Sequence, residues 1–166
     1  NGRDRVVICG AYGRGNAGDD AILEAILQEM ALIDPDMPAT VLSKEPKSTR
    51  LAYRVRSVSR TNMFAWHSAM RHAVAKRCGC KVQMYGCGIG PVTRENHRRL
   101  AARVLNRYVD VITLREPDSR EELRAMGVTK PEILLTADPA LTLRKAEDDQ
   151  IDSVLLRAGI PPQGRY

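Results

Sequence analysis

Six short apolar runs alternate with helix-spaced segments along nearly the whole chain, and this alternation limits the fold more than any other feature. The runs are Arg5–Gly10, Thr40–Ser43, Arg54–Val58, Lys81–Tyr85, Asp110–Leu114 and Glu132–Thr136. They are short, rich in β-branched residues and solidly apolar rather than alternating, as strands buried on both faces are. Between them the spacing predicts helices over Gly18–Ile33, Lys47–Tyr53, Asn62–Cys78, Arg94–Tyr108, Pro117–Met126 and Asp149–Ala158. The first carries an apolar stripe at Ile22, Leu23, Ile26, Leu27 and Met30, and Asp34-Pro35 stops it. The Arg94–Tyr108 helix is basic, with Leu100, Val104 and Leu105 expected inside. Strand–helix alternation of this kind predicts an α/β fold, a Rossmann-like parallel sheet with helices on both faces. The strands near Val6, Thr40, Val82, Val111 and Ile133 are expected side by side.

Ligands of such sheets bind beyond the carboxyl ends of the strands. Four polar or glycine-rich clusters fall at those positions: Gly10–Asp20, Gly86–Pro91, Arg115–Ser119 and Asp138–Pro139. The first contains Gly13-x-Gly15-x-x-Gly18, which on its face suggests a dinucleotide site. Three features argue against that. Gly10, Ala11 and Tyr12 separate the strand from the first motif glycine. The acid expected after the second strand is replaced by Ser43-Lys44. Asp19 and Asp20 occupy the helix start, where carboxylates suit the helix dipole but repel phosphate. Two readings stay open: a capped tight turn with no ligand, or a polar site. In the second, Asn16 and Asp19 bind sugar hydroxyls or position a reacting one, and Gly13 and Gly15 let a substrate approach the backbone.

Composition narrows the classes. The chain has 166 residues, 43% hydrophobic and 28% charged, which suits one soluble globular domain. No apolar run approaches the ~20 residues of a membrane span, no signal peptide is visible, and "NGRDR" reads as a trimmed start. A cytoplasmic location follows as an expectation. The net charge of +6 allows anionic ligands, an anionic membrane surface or nucleic acid, or simply a solvated basic surface. Aromatic content of 4% argues against base-stacking platforms, and no nucleic-acid partner is expected. Cys9, Cys78, Cys80 and Cys87 match neither a paired zinc knuckle nor a CxxC redox motif, so no metal is expected.

The motifs "GAYGRGNAGDDAIL", "VLSKEP", "VQMYGCGIGPV", "VLNRYVDVITLREPDSREELRAMGV" and "LTADPAL" occur in that order. Together they resemble the polysaccharide pyruvyl transferases of bacterial cell-wall polymer synthesis, over roughly residues 5–143. The resemblance implies transfer of the enolpyruvyl-derived unit of phosphoenolpyruvate to a sugar, usually N-acetylmannosamine of a lipid-linked precursor, forming a pyruvate ketal. It implies no cofactor. It also implies a GT-B-like enzyme of two Rossmann-like halves, of which this chain is the first. Residues 1–160 would be that N-terminal domain, and residues 161–166 the start of a linker to a C-terminal domain. Peripheral contact with the inner membrane surface and a homo-oligomer are compatible with this reading. The family also carries a strand and glycine loop of the type "D-L-x-I-S-G-G-G-S-L-L-Q-D". Here Arg71 runs directly into His72, so a missing segment is expected between them, and the Asn62–Cys78 helix would then be two.

Within that resemblance, Arg115 matches a family arginine. Its planar fork suits the phosphate and carboxylate of the donor; the alternative is an ion pair with Glu116 or Asp118. Gly86, Gly88 and Gly90 form a second strand-end turn that binds an anion or sugar, or simply needs positive φ. Asp138 orients a hydroxyl or caps the following turn. Asp19 is the candidate base and Arg115 the candidate cation. His67, His72 and His97 match no motif, and the general acid is expected in the second half. Two rival functions remain at this level: a GT-B glycosyltransferase using a nucleotide-sugar, and a nonenzymatic anion- or nucleic-acid-binding domain resting on "RENHRRLAARVLNR".

Overall fold

A computed structural model describes residues 5–59 and 73–161. The expected gap between Arg71 and His72, His67 and His72 themselves, and most of the Asn62–Cys78 helix lie outside the described residues; residues 73–77 are helical.

The chain alternates strand and helix as its apolar runs predict. β1 (Val6–Cys9), α1 (Ala17–Ile33), β2 (Ala39–Ser43), α2 (Pro46–Tyr53) and β3 (Arg56–Ser59) form the first part. β4 (Gln83–Cys87), α3 (Glu95–Tyr108), β5 (Val111–Leu114), α4 (Pro117–Ala125) and β6 (Glu132–Leu135) form the second. A short 3-10 turn (Pro139–Thr142) and α5 (Asp148–Arg157) follow. Every described strand pair is parallel. The fold is α/β, with helices packed around parallel sheets.

One expectation needs correcting. The strands do not lie side by side in a single described sheet but form two sheets of three, ordered β1-β2-β3 and β4-β5-β6. Each sheet has its own core. In the first, Ile8 and Val41 meet Leu23 of α1 and the ring of Tyr12, with Ile26, Leu27 and Met30 packed around them. The opposite face of that sheet carries Val7 and Val58, exposed at 65% and 38%. In the second, Ile112 and Leu114 pack with Leu105, Val109, Leu123 and Val128.

Local chemistry explains the helix ends. Asn16 caps α1, its Oδ1 accepting from the Gly18 amide at 3.1 Å, which satisfies one of the open amides of the first turn. Asp19 and Asp20 sit in that turn, where the helix dipole favours them. Pro46 and Pro117 start α2 and α4 at the position where a missing N–H costs nothing. On α3 Leu105 enters the core as expected and Val104 is half-buried, but Leu100 does not turn inward. Leu100 is 40% exposed, while Arg98 turns inward because Glu122 of α4 meets it at 2.6 Å.

α1 joins the two parts. It contributes Leu23 to the first core, packs along the 3-10 turn after β6, and its Gln28 Oε1 accepts from the Arg144 amide at 3.3 Å.

Candidate active site at the strand ends

The loop after β1 has two glycines with left-handed backbone, Gly13 (φ 73°) and Gly15 (φ 69°). Their surroundings differ. A side chain at Gly13 would strike the Ser43 hydroxyl and stand 2.7 Å from the Glu45 amide. Ser43, fully buried, accepts from the Thr49 hydroxyl at 2.7 Å and the Glu45 amide at 3.1 Å. The Lys44 amide donates to the Tyr12 carbonyl at 3.1 Å. The glycine at 13 is thus required by the chain's own β2–α2 turn. Gly15 has nothing within 4 Å of its would-be side chain and presents bare backbone outward. Beside it, the Asn16 amide donates to Asp19 Oδ2 at 2.7 Å. This fixes one carboxylate oxygen, and no hydrogen bond among the described residues engages the other.

The second cluster gathers three strand ends. Gly86 (φ 59°) sits at an irregularity in β4, and its amide donates to Thr113 Oγ1 at 2.7 Å. Arg115 follows β5, and its amide donates to the Cys87 carbonyl at 3.3 Å. Its Nη1 meets Asp138 Oδ2, beyond β6, at 2.8 Å. The other oxygen of Asp138 accepts from the Ala140 amide at 2.9 Å. Asp138 therefore caps the 3-10 turn and holds the arginine at once. The predicted partners of Arg115, Glu116 and Asp118, give way to one that folding brings from 23 residues along the chain. A side chain at Gly88 would stand 2.7 Å from Glu116 Oε1 and 3.1 Å from Arg115 Nε, so the carboxylate and the guanidinium both lie over this glycine. Gly90 is open.

This glycine turn is clamped from α4. Ser119 is fully buried; its hydroxyl accepts from the Ile89 amide at 2.7 Å and lies 3.0 Å from Glu116 Oε1. Glu122 accepts from the Val92 amide at 3.1 Å and from Arg98. Glu116 and Ser119 lie within the Arg115–Ser119 cluster read from the sequence, but neither was expected to hold the glycine turn, and Glu122 was not singled out. The signal was an S-x-x-E spacing after the strand-end arginine, which reads as ordinary helix-start chemistry.

Tyr12 was also missed. It is 6% exposed, and its ring folds back over Gly10. Burial pushes its hydroxyl up to about 12, reinforced by Cys9, Asp19 and Cys87. Burial likewise raises the Cys87 thiol, which Arg115 partly offsets, so Cys87 stays protonated near neutrality and is no thiolate nucleophile. Tyr12 thus feels charge from both clusters, Asp19 of the first and Cys87 of the second. His97 is exposed on α3. Among the described residues no group of three or more His, Cys, Asp or Glu is placed to hold a metal, and no helix is long and apolar enough to cross a membrane. A cavity of about 270 Å³, lined by residues including Met30, Pro35, Tyr53 and Arg56, opens at the opposite, amino ends of β2 and β3.

An α/β protein whose polar and glycine-rich residues gather at the carboxyl ends of parallel strands belongs to the class that binds ligands at that edge. The family model for polysaccharide pyruvyl transferase matches residues 16–165, and the chain belongs to that family. Asn16, Asp19, Arg115, Asp138 and the second glycine turn fall inside the matched span; Tyr12, Gly13 and Gly15 precede it. No curated protein and no solved structure matched the chain.

Proposed function

We propose that the chain carries one wall of a site that moves a pyruvyl unit from phosphoenolpyruvate onto a sugar of a cell-wall polysaccharide precursor. The product is a ketal, and the acceptor is N-acetylmannosamine on a lipid carrier. The observation that most supports this reading is Arg115. It is a fixed cation at a strand end, aligned by Asp138 and lying beside Gly88 together with the Glu116 carboxylate. An arginine fork at a strand end suits a small ligand that bears both carboxylate and phosphate.

The chemistry has distinct demands. A proton added to the methylene carbon of phosphoenolpyruvate leaves positive charge on the central carbon. One sugar hydroxyl attacks that carbon and loses its proton. A second hydroxyl then displaces phosphate, closing the ketal. Asp19 serves as base for the acceptor hydroxyl, with one oxygen held by Asn16 and the other available. Arg115 balances the departing phosphate. Gly15 and Gly90 supply open backbone for substrate contact, Gly13, Gly86 and Gly88 set the shape of their turns, and Asp138 aligns Arg115. The general acid is assigned to a second, GT-B-like half of the enzyme, facing this one across a cleft. The basic outer surface of α3, including Arg99, Arg103 and Arg107, suits contact with the anionic inner leaflet that presents a lipid-linked acceptor.

The test is phosphate release from phosphoenolpyruvate with an N-acetylmannosamine glycoside, using protein expressed from its whole reading frame. Acceptor-dependent phosphate together with a ketal product is expected. Turnover of a nucleotide-sugar with no phosphate released from phosphoenolpyruvate would instead make the protein a glycosyltransferase.

A further inference from the structure

Tyr12 presents an anomaly that the roles above leave unused. It is only 6% exposed, in a chain with few aromatic residues, yet its hydroxyl makes no hydrogen bond among the described residues; its one polar contact there is the backbone carbonyl accepting from Lys44. Buried hydroxyls are ordinarily paired, because an unpaired one forfeits its hydration with nothing in return. The rest of the residue is well accounted for. The ring belongs to the first core with Ile8, Leu23 and Val41, and it covers Gly10, where any side chain would collide with it. A phenylalanine would satisfy all of that packing. The hydroxyl alone is unexplained by the fold.

Its position says what would satisfy it. The ionisable groups that act on it are Cys9, Asp19 and Cys87, and each adds negative charge or none. None of the three is a cation. A phosphate or carboxylate oxygen placed beside Tyr12 would face Asp19 without a compensating charge. A neutral hydroxyl or ether oxygen meets no such penalty, and it can take a hydrogen bond from a phenol that keeps its proton at every physiological pH.

We infer that the Tyr12 hydroxyl is a hydrogen-bond donor to a neutral oxygen of the acceptor sugar, and that it marks the acceptor side of the site as Arg115 marks the donor side. This rests on the pyruvyl-transfer reading for the identity of the sugar, but not for the existence of the subsite. Asp19 and Tyr12 would then hold the same sugar from two directions, the carboxylate accepting from one hydroxyl and the phenol donating to a neighbouring oxygen.

The experiment compares wild type with Tyr12→Phe, which removes the hydroxyl and keeps the ring. Binding of the methyl glycoside of N-acetylmannosamine and binding of phosphoenolpyruvate are measured separately by calorimetry, with thermal unfolding of both proteins without ligand. One neutral hydrogen bond predicts sugar affinity weaker by about three- to tenfold. Phosphoenolpyruvate affinity should be unchanged, and the Tm of the variant equal to or above that of wild type. Equal sugar affinity in the two proteins would overturn the inference. So would a Tm several degrees lower in Tyr12→Phe, since the hydroxyl would then be paired within the fold. Wild type that binds the sugar but not phosphoenolpyruvate would defeat the pyruvyl-transfer reading while leaving the Tyr12 comparison decisive.

Discussion

The ring of Pro139 stands where Gly86 would carry a side chain, so the end of β4 and the turn after β6 meet across a space that only hydrogen leaves open. Gly86 is also left-handed, at φ 59°. Two independent constraints therefore fall on one residue, backbone conformation and close approach. Gly86→Ala should destabilise the protein by roughly 1–3 kcal/mol, the usual range for overpacking a tight contact. Chemical denaturation checks this, and an unchanged midpoint would show that the Pro139 turn gives way freely.

Arg115 and Asp19 should separate kinetically. Arg115→Ala removes a charge-assisted contact to the donor, worth roughly 1.5–3 kcal/mol, so phosphoenolpyruvate affinity should fall on the order of ten- to a hundredfold. The ion pair with Asp138 is itself substantially solvated, so stability should move little. Asp19→Asn keeps an acceptor for the Asn16 amide and loses the base, and should lower kcat with donor affinity preserved. Wild-type behaviour in both variants would remove these residues from the site.

Ser119 should matter to the glycine turn without touching a ligand. Its hydroxyl is buried and satisfies the Ile89 amide. Ser119→Ala leaves that amide unpaired and should cost about 1–3 kcal/mol. Hydrogen exchange at Ile89 should quicken more than exchange in β5. Uniform change across the protein would mean that the clamp is not local.

The acid side of the stability profile should depend on Asp110. Its hydrogen bond with Lys76 at 2.7 Å and the Val82 amide at 2.7 Å hold its carboxyl below the usual carboxylate range. Because the folded pKa is depressed, this contribution is complete above the unfolded value of about 3.9 and is lost as pH falls through the folded one. Asp110→Asn should therefore be the less stable protein at neutral pH, with the difference shrinking below about pH 4. A difference independent of pH would rule out the ionic contribution.

Much of the fold was legible because solidly apolar runs and turn chemistry are local signals. The strands and the strand-end position of all four clusters could be read directly. The split into two sheets could not, since nothing within a parallel strand names its neighbour. The separate roles of Gly13 and Gly15 were hidden for a related reason: the atoms filling the space at Gly13 belong to Ser43 and Glu45, a whole helix further on. Leu100 lost its inward place to Arg98 because of Glu122 on another helix. Tyr12 escaped notice because its sequence context is that of a turn, and only packing reveals a hydroxyl without a partner.

The double contact of α1 has a consequence of phase. The helix carries Asp19 in its first turn and Gln28 further along, against the segment that follows the Asp138 turn. Each residue of an α-helix advances ~1.5 Å and turns ~100°. The number of residues between Asp19 and Gln28 therefore sets both how far the carboxylate stands from the Asp138 turn and which way it points. One residue added between them would swing Asp19 out of line with the Asp138 turn without replacing any residue of either cluster, so the spacing within α1 is as much a part of the site as the groups it carries.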